Sequence, residues 1–346
     1  MPIINIAIHT STLEHILLLG FLGFAVSMLI TPIYTAAAYK WQWWKRPRKT
    51  AVSGEKATEF QKLHAEKHRR NIPTMAGLIM VGGVAIVTLS LNLIREQTWL
   101  PLAAMVGAGA IGLLDDIINL KSNGNGVAGL RAKKKLALIS AVAIIGGWWF
   151  YAKNGIDSFH MPWVGAVTVG WLIVPLFVFV VVATANAVNI SDGLDGLAGG
   201  LLASAFGVYA IIALLQQRYG VSAFCLTIVG TLLAYIWFNI FPARFFMGDV
   251  GSFALGTALG VVAMITNTVV LLPIIGLVFV CETGSVIIQN MSKKLRNGKK
   301  IFRITPIHHH FEAIGWPEAK VTMRFWVIGQ VCAVLGLLLA ILGGFI

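Results

Sequence analysis

Residues 169–200 read VGWLIVPLFVFVVVATANAVNISDGLDGLAGG, an apolar run that ends in Asp192 and Asp195 among amides and glycines. A helix needs about 20 such residues to cross the hydrocarbon layer of a membrane. Carboxylates placed where such a helix emerges cost free energy and usually mark function. An apolar span with an acidic rim is therefore the first reading of this chain.

The rest of the sequence repeats the pattern. Of its 346 residues, 57% are hydrophobic and only 12% charged, with a mean hydropathy of +0.80. Soluble domains carry about a quarter charged residues, so the composition excludes one. Barrel strands are also excluded, because they alternate polar and apolar over about ten residues. Ten segments read as helical spans: 16–38, 74–94, 99–116, 136–152, 164–187, 196–215, 221–241, 251–268, 272–291 and 325–345. The expected fold is all-α, a polytopic membrane bundle of about ten transmembrane helices, one domain over residues 1–346. Nothing basic precedes the first run, so no cleavable signal peptide is expected.

The cations orient the bundle. With ten spans, 24 of the 27 Lys and Arg fall in connections on one side, leaving Arg95, Lys153 and Arg218 on the other. The positive-inside rule makes the basic side cytoplasmic and puts both termini outside. The formal charge of +13 is then a juxtamembrane feature, suited to anionic membrane lipids and to a polyanionic substrate. Nucleic acid is not expected as a partner, since the basic loops are short and carry no recognition motif. Cys225, Cys281 and Cys332 all lie in apolar spans without metal-ligand spacing, and read as small core residues.

Spans three, five and seven run from outside to inside, and each delivers acid to the same boundary. Span three ends in Asp115 and Asp116, span five in NAVNISDGLDG, and span seven runs into FNIFPARFFMGDVGS with Asp249. Carboxylates crowded without counter-charge would repel, and some would protonate. A hard divalent cation resolves this, and Mg²⁺ usually takes one or two carboxylates plus substrate phosphates and water. Asn186, Asn189, Asp192 and Asp195 recur every three residues, a spacing that drifts around a 3.6-residue helix. The helix is therefore expected to end near Asn189, leaving DGLDG as a loop lining an active-site cleft. Farther on, PIHHHFE places His308, His309 and His310 in a loop on the same face. Adjacent imidazoles diverge, so one suits phosphate contact or proton transfer, with its neighbours structural.

These pieces resemble the polyprenyl-phosphate N-acetylhexosamine-1-phosphate transferase superfamily, and within it the phospho-N-acetylmuramoyl-pentapeptide transferases. The resemblance rests on PTMAG (73–77), LLDD (113–116), NAVNISDGLDGLA (186–198), WFN (237–239), FFMGDVGS (245–252) and PIHHHFE (306–312), in the family's order. It implies an Mg²⁺-dependent attack by undecaprenyl phosphate on UDP-MurNAc-pentapeptide, giving lipid I and UMP in a bacterial inner membrane. A homodimer is also implied.

By position, the resemblance makes Asp249 the metal ligand and Asp115, beside Asp116, the base toward the lipid phosphate. His308 is the catalytic candidate among the histidines, with His309 and His310 beside it as substrate contacts. Asn186, Asn189, Asp192 and Asp195 line the nucleotide-sugar site, and the backbone at Gly193 and Leu194 meets the uracil. Phe246 stacks on that base, and Thr74, Asn239 and Lys135 complete the set. Two positions depart from the family pattern: Arg69 stands where a nucleotide-site Lys is expected, and Asn119 where a Lys follows the Asp pair. Two rivals are carried forward. One is a UDP-N-acetylglucosamine-1-phosphate transferase. The other is a cation-coupled transporter, for which Glu282, deep in a span, is the relevant acid.

Overall fold

The computed structural model describes residues 9–44, 70–121 and 129–346. In chain order, α1 (Thr10–Lys40) is followed by α2 (Gly77–Leu91), α3 (Trp99–Lys121) and α4 (Ala132–Ala152). A hairpin of β1 (Ser158–Met161) and β2 (Gly165–Thr168) comes next. Then follow α5 (Ile173–Ser191), α6 (Leu197–Leu215), α7 (Tyr219–Asn239) and α8 (Gly248–Ile265). The chain closes with α9 (Leu272–Ile275), α10 (Leu277–Leu295), α11 (Ile307–Ala313) and α12 (Glu318–Leu342).

The structure is an all-α membrane bundle. Among the described residues, eight helices are long and apolar enough to cross a membrane. The other two expected spans are helical as well, but α2 has only 15 residues. The ninth span is broken at Gly276, and its longer part, α10, holds Glu282 and a basic last turn of Lys293 and Lys294.

The span expected over 164–187 begins later than the hydropathy implied. Ser158 pairs with Thr168 and Met161 with Gly165 across an antiparallel ladder, and α5 starts only after a 3₁₀ turn at Gly170–Leu172. Gly165 and Gly170 hold φ at +95° and +60°, in the left-handed region that a helix does not admit. Exposure alternates along β2, as the period of a strand requires.

The centre of the bundle is α8. Every residue from Val250 to Ile265 is buried, so this helix is apolar all round and belongs inside. It packs against α3 and α5, and also against α2. Small residues allow that crowding. A Cβ on Gly112 of α3 would stand 2.2 Å from the Asp249 carbonyl oxygen, and one on Gly77 of α2 would stand 2.2 Å from Gly251 N. Membrane helices associate through such close backbone approach. Along α8 the approach is tightest at its first turn, where the C-terminal part of α3 lies alongside Asp249.

Candidate active site

The site is built where α3, α4, α5 and α8 meet. Asp115 and Asp116 lie in the later turns of α3, Lys135 at the start of α4, Asn189 in the last turn of α5 and Asp249 in the first turn of α8. Lys135 Nζ donates to Asp115 Oδ2 at 2.8 Å and to Asp249 Oδ2 at 2.5 Å. The Asn189 amide donates to Asp249 Oδ1 at 3.2 Å and to Ser252 Oγ at 2.9 Å. Asp115 Oδ1 also accepts from Leu130 N at 2.5 Å. Charge-assisted bonds of this kind fix geometry as well as charge. Lys135 and Asp249 remain partly open, with side chains 20% and 16% exposed, whereas Asp115 is only 3% exposed.

Asp116 plays a different part. It is fully buried, and its Oδ2 accepts from Val250 N at 3.1 Å, in the first turn of α8. A carboxylate there satisfies an otherwise orphan amide and complements the helix dipole.

The acids do not form one five-membered cluster. Among the described residues no group of three or more His, Cys, Asp or Glu gathers at metal-holding distance. They divide into two groups instead. Lys135 supplies counter-charge to Asp115 and Asp249, and Asp192 and Asp195 belong to a separate loop. The sequence reading placed Lys135 by motif order alone and had no means of seeing which acids it would reach.

That loop, residues 192–196, lies between α5 and α6 as expected. Asp195 is buried, and its carboxylate accepts from Ala243 N at 2.9 Å. Its own amide donates to Glu318 Oε1 at 2.7 Å, and its carbonyl accepts from Thr322 Oγ1 at 3.1 Å. Gly196 N donates to Asn239 Oδ1 at 2.8 Å, and Gly196 O accepts from Trp326 Nε1 at 3.1 Å. Asn239 in turn donates to Phe245 O at 2.8 Å. Gly196 has φ +78°, so glycine is required there. Asp192 and Gly193 are half-buried and Leu194 is buried. The Asn186 amide donates back to Val182 O within α5.

The histidines lie in a short helix, α11, and not in a loop. His308 is fully buried, its Nδ1 2.8 Å from Glu282 Oε2. His309 Nδ1 stands 2.6 Å from Glu312 Oε2, and the two rings stack edge-on with centroids 4.1 Å apart. His310 turns away and accepts from Arg303 N. His308 leads back to the loop, since a Cβ on Gly193 would lie 2.3 Å from its Nε2. Glu282, the relevant acid for a transporter, is thus the partner of a histidine beside the acidic loop.

A third strand of chain closes the site. Phe246 N donates to Pro73 O at 2.8 Å, and Ala76 N to Phe246 O at 3.0 Å, zipping PTMAG to FFMGD. Thr74 is buried, its carbonyl accepting from Tyr34 Oη at 2.6 Å, while Phe246 stays half-buried. Arg69 lies outside the described residues; its neighbour Arg70 donates to Ala243 O at 2.8 Å. The sequence reading missed Glu318, Thr322 and Trp326. Their spacing of four along one helix was the available signal, for it puts them on one face.

The chain, a polytopic helical bundle with carboxylates, amides and a lysine converging at the helix ends, matches the glycosyl transferase family 4 model over residues 98–267, which puts it among the phospho-sugar transferases. Three proteins bearing the name phospho-N-acetylmuramoyl-pentapeptide-transferase narrow this further. One from Geobacillus sp. (strain WCH70) is 37% identical over 332 residues, covering 94% of this chain and 98% of that protein. One from Chloroflexus aurantiacus is 39% identical over 285 residues, 79% and 78% of the two chains. One from Lactobacillus acidophilus is 42% identical over 281 residues, 80% and 86%. The chain belongs to the phospho-N-acetylmuramoyl-pentapeptide-transferase family.

Proposed function

We propose that this protein transfers phospho-MurNAc-pentapeptide from UDP-MurNAc-pentapeptide to undecaprenyl phosphate, yielding lipid I and UMP. The observation that carries this reading is the 37% identity running over 94% of the chain to a protein of that name. The reaction would take place at the cytoplasmic face of a bacterial inner membrane, with both termini outside. A homodimer belongs to the same reading, to be checked by the mass of the solubilised protein.

In the proposed step, an oxygen of the lipid phosphate attacks the β-phosphorus of the nucleotide sugar. The bond from that phosphorus to the bridging oxygen breaks, and UMP leaves with the bridging oxygen and its electrons. Both substrates are anions, so catalysis rests on positioning and charge neutralisation. Lys135, already held between two carboxylates, would contribute positive charge toward the diphosphate. Asp115 would orient the lipid phosphate and accept its proton if it arrives protonated. Asn189 holds Asp249 in place. His308, fixed by Glu282, would meet the sugar phosphate beside Gly193.

Asp249, held by Asn189 and still partly open, is a hard oxygen donor that fits Mg²⁺ completed by substrate phosphate and water. Bound there, Mg²⁺ would supply Lewis-acid neutralisation of the diphosphate.

The test is Mg²⁺-dependent UMP release by purified protein with undecaprenyl phosphate, comparing UDP-MurNAc-pentapeptide with UDP-N-acetylglucosamine. Release with the muramoyl substrate alone is expected. Release only with the second would move the enzyme to another glycan pathway, and release with neither would refute the transferase reading. Asp249→Ala should abolish turnover even at high Mg²⁺.

A further inference from the structure

We propose that Glu318, Thr322 and Trp326 are positioning residues for the nucleotide-sugar site, acting through the backbone of the 192–196 loop. The inference rests on the transferase reading, in which that loop meets the nucleotide sugar.

The geometry is specific. Glu318, Thr322 and Trp326 stand one turn apart on one face of α12. Each bonds one of two adjacent loop residues: Glu318 receives the amide of Asp195, Thr322 donates to its carbonyl, and Trp326 donates to the carbonyl of Gly196. From the opposite side, Asn239 of α7 receives the Gly196 amide. All four backbone polar groups of Asp195 and Gly196 are thereby engaged by side chains remote in sequence. Local backbone bonds tie the loop to the helices at its two ends, Gly196 O accepting from Gly200 N and Asp192 N donating to Asn189 O. The amides of Asp195 and Gly196 and the carbonyl of Asp195 are held by the remote side chains, which fix the turn between.

Packing points the same way. The indole of Trp326 lies so close to α6 that a Cβ on Gly200 would fall 2.1 Å from its Cε2. Trp326 is thus locked against the helix that the loop begins. The same stretch of chain also carries the histidines. α11 precedes α12 by a few residues, and His308 abuts Gly193 of the loop. Residues 308–326 therefore grip the loop at both ends, at Gly193 through an imidazole and at Asp195–Gly196 through α12. A loop gripped in this way presents Asp192 and Gly193 in one arrangement, which lowers the ordering cost when a ligand binds.

The effect of loosening the grip follows from population arithmetic. If only a fraction of molecules hold the loop in its competent form, apparent affinity falls by that fraction, while the bound complex reacts as before. Thr322→Val removes one hydroxyl at nearly constant shape, and Thr322→Ser restores it. Losing one buried hydrogen bond weakens the competent arrangement about five- to tenfold, so KM for the nucleotide sugar rises measurably, by up to that factor, with kcat within about twofold.

The experiment compares wild type, Thr322→Val, Thr322→Ser and Glu318→Leu for steady-state UMP release. In parallel, hydrogen exchange is followed at the Asp195 and Gly196 amides without substrate. The expected result is a raised KM in Thr322→Val, a KM near wild type in Thr322→Ser, and faster exchange at Asp195 in Glu318→Leu. A fall in kcat at unchanged KM in Thr322→Val would mean only a smaller folded fraction, and would overturn the proposal. Unchanged kinetics would do the same. Should Glu318→Leu fail to fold, the Thr322 pair still decides. Inactivity of the wild type would instead count against the transferase reading, and the exchange rates would then judge the loop contacts alone.

Discussion

Gly193→Ala tests the contact between the acidic loop and the histidine helix, and its size can be worked out. The added Cβ would lie 2.3 Å from His308 Nε2 and 2.9 Å from Cε1. Reaching even 3.0 Å demands a movement of about 0.7 Å, and full van der Waals contact demands more. His308 cannot easily yield, being fully buried, 2.8 Å from Glu282 and stacked on His309. The push arrives at Nε2, across the ring from the Nδ1 that faces Glu282, so a shift of that size compresses or skews the 2.8 Å contact out of useful geometry. Overpacking costs about 1–3 kcal/mol, and a lost buried hydrogen bond costs about 0.5–1.5 kcal/mol. A net penalty of about 2 kcal/mol in the competent arrangement corresponds to a fall in kcat/KM of about 30-fold. The assay is UMP release alongside thermal unfolding, with Gly207→Ala in α6 as the control. A Cβ at Gly207 meets nothing within 4 Å, so that variant should be neutral, or more stable by up to about 1 kcal/mol through helix propensity. Gly193→Ala with activity within twofold of wild type would show that His308 does not abut the loop, and would remove the structural basis for its proposed role.

Three further outcomes are expected. Lys135→Met leaves Asp115 and Asp249 facing each other without the ammonium now bonded to both; turnover should fall by at least about a hundredfold, by analogy with loss of one preorganised charge donor, and retention of a tenth of the wild-type rate would refute its role. Asn239→Asp keeps an acceptor for Gly196 N but turns a second acceptor toward Phe245 O, where an amide now donates. It should destabilise the protein by about 1–3 kcal/mol in denaturation, as burial of unsatisfied polar atoms does, and an unchanged unfolding midpoint would count against that network. Gly112→Ala drives a Cβ to 2.2 Å from backbone at Asp249, so α3 and α8 must separate. Stability and turnover should fall together, and a normal unfolding temperature would contradict the close approach.

Much of the architecture was legible beforehand. Apolar length by itself demands helices, because backbone groups in lipid must be bonded within their own segment, and helices stand at all ten expected places. The loop at Asp192–Gly196 was legible too, since a three-residue spacing cannot keep all four polar side chains on one helical face and the glycines favour a turn. The hairpin at 158–168 was not. A short apolar run of Val, Gly and Thr reads alike for strand and helix by hydropathy, and the ladder to Ser158–Met161 with positive φ at Gly165 and Gly170 separates them.

For the site, the sequence determined which residue types stand at the helix ends, because charge in an apolar chain is rare enough to be conspicuous. Partnership was decided by tertiary structure alone. Lys135 reaches Asp249 across 114 positions of sequence, and it does so because glycines let α3 pack closely against α8 beside it. The grip of α12 on the loop depends in the same way on the rotation of one helix about its axis. Packing against α6 sets that rotation, and no local pattern of residues encodes it.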